Sequence, residues 1–244
     1  MSKRISMWSG PRNISTTLMY SFRSRTDTTV IDEPLYAHYL SKTPVKHPGD
    51  DEVLAAMEND GQRVIDEVIL GNYAKPVVFF KNMAHHLTGL DTAFLRELDN
   101  ILLTRHPKAM LASLVKQLPE PCLRDTGLKQ LSEVLELILS QGQTPLVLES
   151  AEVLKNPRAV LQKLCHALKI DFQESMLSWP AGPKPEDGMW AKYWYSTVHQ
   201  STGFIKPEDK EIDLPERLEP LLEECLPYYE TLSKYALKAE GITD

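Results

Sequence analysis

The stretch Ile101-Leu102-Leu103-Thr104-Arg105-His106-Pro107 is typical of a buried strand that ends directly before a helix. A short apolar run suits a strand covered on both faces, and a proline suits the first turn of a helix. Arg105 would then stand at the carboxyl end of the strand, where open α/β sheets bind their ligands. Ser113 follows eight residues later, two turns into the predicted helix, so that both side chains could reach one phosphate. The alternative is an arginine in a salt bridge and a serine on a helix surface.

A second junction of this kind lies near the N-terminus, where a short strand at 5–8 is followed by Gly10-Pro11-Arg12-Asn13-Ile14-Ser15-Thr16-Thr17. Free N–H groups and the helix dipole attract an anion at such a turn, and Arg12 adds a full charge. Asn13 and the hydroxyls of Ser15, Thr16 and Thr17 add polar groups. The lysine of a Walker A loop is missing. The alternative is an N-capped helix with a solvated Arg12. Two phosphate sites together predict a ligand with phosphate at both ends, held at opposite tips by Arg12 and Arg105.

The rest of the chain alternates between strand and helix patterns. Further strands are predicted at 28–32, 77–80, 100–103 and 146–148, and helices at 51–71, 91–98, 108–118, 127–140, 157–168 and 215–238. Such alternation predicts an α/β fold of three layers, α/β/α, around a central parallel sheet. Residues 179–210 are rich in proline, glycine and aromatic residues, which predicts a long functional loop region. No boundary is visible, so residues 1–244 are predicted to form a single domain.

Composition narrows the class of protein. The chain has 244 residues, 42% hydrophobic and 25% charged, and a net charge of −7. An acidic surface argues against nucleic acid as a partner, since phosphate backbones need clustered lysine and arginine. No apolar run has the length of a membrane span, and the first strand leaves no room for a signal peptide. Three cysteines without a CxxC pair favour a reduced protein. We therefore expect a cytoplasmic protein.

Three segments, in this order, resemble sulfotransferases that use 3′-phosphoadenylyl sulfate (PAPS). The Arg12 loop is similar to the family's 5′-phosphosulfate loop. Arg105, Pro107 and Ser113 match the spacing of its 3′-phosphate motif, R-x-P-x5-S. The segment 148–161 resembles a strand-then-helix segment of the same family. The resemblance implies the family's P-loop NTPase-like topology.

The chain departs from the family pattern at several positions. Ile14 stands where the loop usually has glycine, and Arg12 stands where the aryl and steroid enzymes have lysine. The C-terminal R-K-G segment is not recognisable. Residues of the predicted loop region are expected to contact the nucleotide in its place: Lys184, Trp190 and Lys192.

The resemblance implies transfer of a sulfuryl group from PAPS to a hydroxyl or amine of a small molecule, with release of adenosine 3′,5′-bisphosphate (PAP) and no metal. Such transfer requires a base for the acceptor proton and stabilisation of the leaving phosphate. Arg12 is the candidate for the second role.

The base is sought in Phe80-Lys81-Asn82-Met83-Ala84-His85-His86, which follows a predicted strand. The family places a lysine and a histidine base here, in the order K-x-H, so Lys81 is a catalytic candidate. The spacing is longer in this chain, and His86 is favoured over His85. A histidine suits the role because its ordinary pKa lies near neutrality. The alternative is two partly exposed histidines without a catalytic role; a metal site at this pair lacks ligands at suitable spacing.

Glu33, which ends the strand at 28–32, is a further candidate base, or a residue that orients the acceptor. Its alternative is an N-cap and turn. The aromatic residues Trp190, Tyr193, Trp194, Tyr195 and Phe204 would stack on adenine, line an acceptor pocket or hold a cationic acceptor. Core packing is the alternative for them.

Two other functions compete with sulfuryl transfer. A nucleotide-kinase-like phosphotransferase would need a Walker lysine and a magnesium site. A non-catalytic nucleotide-binding module is suggested by Ile14 in the loop and by the ambiguous base.

Overall fold

The computed structural model describes residues 2–206 and 212–240, so residues 207–210 of the predicted loop region lie outside the described residues. Five strands form one sheet in the order β2-β3-β1-β4-β5. The strands are β1 (Lys3–Ser9), β2 (Thr28–Asp32), β3 (Val77–Met83), β4 (Asp99–Thr104) and β5 (Leu146–Glu149). The pairs β2/β3 and β4/β5 are parallel. The α/β fold with a central parallel sheet flanked by helices is confirmed.

Helices connect these strands as the alternating pattern predicts. The α-helices are α1 (Ser15–Arg23), α2 (Tyr36–Lys42), α3 (Asp50–Ala56), α4 (Gly61–Arg63), α5 (Pro107–Leu114), α6 (Leu123–Thr126), α7 (Leu128–Ser140), α8 (Ser150–Lys155), α9 (Pro157–Ala167), α10 (Ala191–Trp194), α11 (Ser196–His199) and α12 (Glu219–Ser233). A π-helix spans Val64–Ile69, and 3₁₀ helices span Ala84–Leu87, Thr92–Glu97, Glu174–Leu177 and Glu216–Leu218.

The chain divides into two compact units. The first unit comprises the described parts of residues 1–7, 15–99 and 173–204, and the second those of residues 8–14, 100–172 and 205–244. Each unit has a buried core formed by its own strands and helices.

In the first unit, β2 and β3 pair in parallel, with register from Thr28 opposite Val77 to Asp32 opposite Lys81. The run 77–80 is buried, as expected for a central strand. Helix α1 packs on both strands, and its Phe22 stacks on Phe79 with ring centroids 4.1 Å apart. The register therefore sets the last residues of β2 beside Lys81.

In the second unit, β4 and β5 pair in parallel from Ile101 opposite Leu146 to Thr104 opposite Glu149. Helix α5 begins at Pro107, and the His106 side chain caps it by accepting from the N–H of Lys108. The C-terminal helix α12 packs on α5 and α7. The strand-to-helix junction at Arg105 is thus formed as the sequence predicts.

One predicted helix is wrong in extent. Instead of a single helix over 51–71, α3 ends at Ala56 and helix resumes at Gly61. The Asp60 carboxylate causes the restart, because it accepts from the N–H groups of Gln62 and Arg63 at 2.9 and 3.3 Å. A side chain at Gly61 would collide with the His38 ring, 2.7 Å from the ideal Cβ position. Glycine is therefore needed where the helix resumes.

The helices and the cysteines bear on the expected location of the protein. In the stretches 2–206 and 212–240, no helix is long and apolar enough to cross a membrane. Cys122, Cys165 and Cys225 are all free thiols.

Candidate active site

Arg12, Arg105 and Ser113 come together in the second unit. The Nε of Arg12 donates to the Ser113 hydroxyl at 3.0 Å, and the Nη1 of Arg105 donates to the backbone carbonyl of Arg12 at 2.5 Å. The first predicted phosphate motif therefore contacts the second. Arg12 and Arg105 form one cationic cluster, and their predicted hold on opposite tips of a ligand stays a prediction.

The Arg12 and Arg105 guanidiniums are two positive charges, and neither forms a salt bridge among the described residues. Over the described ranges, neither Arg12 nor Arg105 has a carboxylate oxygen within 4.0 Å, so the alternative of a salt-bridged Arg105 is wrong. Burial lowers the pKa of the Arg12 guanidinium. Burial and the charge of Arg12 lower the pKa of Arg105, while Glu149 opposes them. Two half-buried like charges repel each other, and a bound anion would relieve that repulsion.

The loop that carries Arg12 is tightly folded. Arg12 itself has a left-handed backbone (φ 56°), and the Asn13 amide donates to the carbonyl of Gly10 at 2.7 Å. An ideal Cβ at Gly10 would lie 2.6 Å from the backbone oxygen of Thr126, so only glycine fits there. A strained, non-glycine backbone of this kind is common at binding sites.

A small cavity lies beside this loop, still within the second unit. Its lining includes Gly10, Asn13, Thr104, Arg105 and Met110. The Thr104 hydroxyl is buried and has no hydrogen-bond partner among the described residues. A polar group of the ligand would satisfy it.

The other predicted donors of the first motif belong to α1 in the first unit. Ser15 starts this helix and is buried, while Thr16 and Thr17 are half-buried on its first turn. Their predicted role in phosphate binding stays a prediction.

A separate candidate site, a buried ionic cluster, lies in the first unit. The Lys81 ammonium donates to Asp32 Oδ1 at 3.0 Å, to Tyr195 Oη at 2.7 Å, and to Glu33 Oε1. The Tyr195 hydroxyl in turn donates to Asp32 Oδ2 at 2.7 Å. Lys81 is 2% exposed and both carboxylate residues are 7% exposed. One ammonium therefore faces two carboxylates in a site without bulk water.

His86 lies at the far side of Glu33. Its Nε2 is 3.8 Å from Glu33 Oε2, and its Nδ1 is buried without a hydrogen-bond partner among the described residues. The ring stacks on Tyr36, with centroids 5.3 Å apart, while His85 packs against Tyr39 at the half-exposed rim. Of the two predicted histidines, His86 is the one that contacts the ionic cluster, and it is fully buried rather than partly exposed.

Burial and charge shift the pKa values of these groups in different directions. Burial and Asp32 raise the pKa of Glu33, against the opposing attraction of Lys81. Burial, with help from His85 and Lys81, lowers the pKa of His86 well below its usual value. Burial alone would lower the pKa of Lys81, but Asp32 and Glu33 outweigh it and raise that pKa well above 10.5. At neutral pH the His86 imidazole is therefore uncharged and able to accept a proton.

Glu33 is held by a second strained backbone position, with φ 40°. The N-cap residue of α2 is Leu35, so the alternative of Glu33 as an N-cap is wrong. Its carbonyl does accept from the N–H of Tyr36 at 3.0 Å, which forms the expected turn. The turn directs the Glu33 side chain to Lys81 and His86.

The three residues proposed for the nucleotide from the loop region each have a partner within the first unit. The Lys184 ammonium donates to the carbonyls of Pro180 and Gly182, at 2.7 Å each. The Lys192 ammonium pairs with Glu52 at 2.7 Å. Trp190 is buried, and its indole N–H donates to Tyr195 Oη at 3.1 Å. Their predicted contact with the nucleotide stays a prediction.

Sequence reasoning missed Asp32 and Tyr195 as partners of Lys81. Asp32 stands at the end of a parallel strand, a general signal for a site. Tyr195 lay inside an aromatic cluster whose packing the sequence does not fix. Within that cluster Trp190 and Tyr195 are buried while Tyr193 is 40% exposed.

The sequence of this chain is similar to a known family and to two curated proteins. A family model described as "Sulfotransferase domain" matches residues 3–236. Two Arabidopsis thaliana proteins are similar: Branched-chain-amino-acid aminotransferase-like protein 2 is 42% identical over 229 residues (93% of this chain, 41% of that protein), and protein 1 is 40% identical over 239 residues (98% and 43%). The chain therefore spans less than half the length of these curated relatives.

Solved structures share the fold. The sulfotransferase domain from the curacin biosynthetic pathway has a TM-score of 0.56 at 18% identity, over 96% of this chain and 98% of that one. A sulfotransferase from Alicyclobacillus acidocaldarius has a TM-score of 0.52 at 12% identity, over 96% of each chain. At such identities the likeness concerns architecture.

Proposed function

Because this chain belongs to the sulfotransferase domain family, we propose that it transfers the sulfuryl group of PAPS to a hydroxyl or amine of a small-molecule acceptor. The observation that carries the proposal is the pair Arg12 and Arg105, two half-buried guanidiniums joined through Ser113 and the loop backbone. Neither is in a salt bridge with a carboxylate of the described residues. Guanidinium groups bind phosphate oxygens in a fixed fork geometry. A donor with several anionic groups fits that chemistry.

We propose a role for each cluster within its own unit. In the second unit, Arg12, Arg105 and Ser113 bind the anionic groups of PAPS, with Asn13 as a further donor. The hydroxyls of Ser15, Thr16 and Thr17, on the first turn of α1 in the first unit, are also proposed as phosphate donors. Arg12 stabilises the charge that grows on the leaving phosphate. In the transfer itself, the bond from sulfur to the phosphate oxygen breaks as the bond from sulfur to the acceptor forms, and PAP leaves.

The acceptor proton goes to the pair formed by Glu33 and His86. His86 is uncharged at neutral pH because burial depresses its pKa, and the Glu33 carboxylate beside it would stabilise the imidazolium that forms on proton uptake. Glu33 can also take the proton directly, since burial raises its pKa above the ordinary carboxyl value and makes it a stronger base. Both assignments depend on the contact between His86 Nε2 and Glu33 Oε2, which lie 3.8 Å apart.

We also propose a domain organisation and a cellular location for this protein. One family model spans both compact units, which supports a single sulfotransferase-like domain. The three free thiols support a reducing compartment, and we place the protein in the cytoplasm.

The experiment is a transfer assay with PAPS and a panel of hydroxyl- and amine-bearing metabolites, in the presence of EDTA, read by mass spectrometry. We expect PAP and a sulfated acceptor in equal amounts. A parallel reaction contains ATP and magnesium in place of PAPS. Phosphorylated products there, without sulfated products from PAPS, would favour the nucleotide-kinase alternative. Binding of PAP without turnover on any acceptor would favour the non-catalytic module.

A further inference from the structure

The hydrogen bonds of Lys81 leave it no donor for a substrate. A lysine ammonium has three N–H groups, and in this structure Asp32, Glu33 and Tyr195 accept one each. The side chain is 2% exposed. A lysine that acted on the transferred group would need a proton directed at that group, and none is available here.

The partners of Lys81 are themselves fixed from a distant part of the chain. Asp32 Oδ2 accepts from the Tyr195 hydroxyl and, at 3.0 Å, from the backbone N–H of Gly188. Tyr195 Oη also accepts from the indole of Trp190 at 3.1 Å. The segment 188–195 thereby holds Asp32 and Lys81 in one orientation. Such fully satisfied buried networks are rigid.

Glu33 links this network to a side chain with an unused polar atom. Its Oε1 accepts from Lys81, while its Oε2 faces His86, whose Nδ1 has no partner among the described residues. Glu33 is therefore the member of the network that faces a candidate base.

We propose that Asp32, Lys81 and Tyr195 are positioning residues that act on the reaction through Glu33, and that Lys81 does not contact the transferred sulfuryl group. The kinetic part of this inference rests on the proposed function. The electrostatic part, the effect of Lys81 and Asp32 on the ionisation of Glu33, can be tested without turnover. Lys81 keeps the buried Glu33 carboxylate ionised, and Asp32 takes up part of the lysine charge so that Glu33 remains basic. Tyr195 sets the geometry between them.

Several titratable groups act on Glu33, either directly or through its neighbours. Lys81 on β3 and Asp32 on β2 act on it directly, and Glu33 acts in turn on Tyr36 of α2 and on Tyr195. His86, on the 3₁₀ helix that follows β3, faces Glu33. Further groups act on these neighbours: His85, His47 and His38 on His86, and Tyr39 and Asp50 on Tyr36.

The test uses two substitutions that remove opposite charges from the same network. Lys81→Met removes the charge that favours ionised Glu33, so loss of activity on acidification should begin at higher pH. Asp32→Asn removes a charge that disfavours ionised Glu33, so the loss should begin at lower pH. The same signs hold if His86 is the base, because Lys81 lowers its pKa. For Lys81→Met we expect the ratio of kcat/KM at pH 8 to that at pH 6 to rise about tenfold or more.

Two readouts are measured on each variant. One is the pH profile of kcat/KM for transfer from PAPS; the other is the NMR titration of the Glu33 carboxyl in ¹³C-glutamate-labelled protein, assigned by its disappearance in Glu33→Gln. Controls carry the same chemical changes at exposed positions of the first unit: Lys75→Met and Asp66→Asn. Neither control should move either readout.

Opposite shifts in the two variants support the proposal. It is overturned if Lys81→Met lowers kcat at every pH while Glu33 titrates as in the wild type, because Lys81 would then contact the transferred group. If Lys81→Met does not fold, Asp32→Asn decides: an unmoved Glu33 titration overturns the proposal. If the wild type does not use PAPS, the proposed function fails, and the NMR titration still tests the network.

Discussion

Replacing Glu33 by glutamine should make the protein more stable at neutral pH. Lys81 is shared by two buried carboxylates, so the cluster has one negative charge in excess. Glutamine retains an oxygen that can accept from Lys81 but removes that charge. Active sites often cost stability, and single stabilising substitutions in natural proteins commonly yield about 0.5–2 kcal/mol, so we expect a gain of this size. For a chain of this size, 1 kcal/mol corresponds to about 2–4 °C in Tm.

The pKa shift of Glu33 determines how the stability gain of Glu33→Gln depends on pH. Burial and Asp32 raise the pKa of Glu33 in the folded protein above its unfolded value of 4.5. The stability contributed by a group with a raised pKa is present below the unfolded pKa and is lost as pH rises through the folded pKa. Wild type should therefore lose this contribution toward neutral pH, while Glu33→Gln should not. The advantage of the variant should be small at pH 4 and should grow as the pH rises toward 8.

Urea denaturation of both proteins at several pH values measures the difference. Glu67→Gln is the matched control, because Glu67 is 64% exposed in its surface pair with Arg63; its stability should follow that of the wild type closely at each pH. If Glu33→Gln were less stable than the wild type at pH 8, the attraction of Lys81 would outweigh burial and Asp32. The reasoning on the cluster would then be refuted.

Two further substitutions test the parts of the cluster. Tyr195→Phe removes a buried hydroxyl bonded to Lys81 and Asp32, and we expect a loss of about 1–3 kcal/mol of unfolding free energy; the exposed Tyr193→Phe should change it by less than about 0.5 kcal/mol, and equal effects would contradict the network. His86→Ala should slow transfer about 10²–10⁴-fold and leave PAP affinity unchanged in calorimetry, whereas weakened PAP binding with normal turnover would place His86 in donor binding.

The sequence predicted the fold well because its strong signals are local. The apolar run at 77–80 and the strand before Arg105 lie where buried parallel strands are found. Pro107 begins a helix as expected. Helix boundaries were predicted less accurately. Helix α3 ends at Ala56, and the side chain of Asp60 caps a new helix that begins at Gly61. Such local competition is not visible in hydrophobic periodicity.

The site was predicted in its parts rather than in its arrangement. Arg105 and Ser113 follow from spacing within one strand and helix, and the structure places Arg12 against them. The partners of Lys81 depend on the register of β2 against β3 and on the return of Tyr195 from 114 residues away. Neither is encoded in a local pattern. The aromatic cluster contained Tyr195, but its role as a hydrogen-bond partner required the packed structure.

Calorimetric titration with PAP tests most directly whether Arg12 and Arg105 form the phosphate site. Wild type, Arg105→Ala and the exposed control Arg158→Ala are compared under identical salt. We expect Arg105→Ala to weaken binding by about 10- to 150-fold, the value of a charge-assisted hydrogen bond, and Arg158→Ala to bind as the wild type does. Equal affinity in all three proteins would contradict the account.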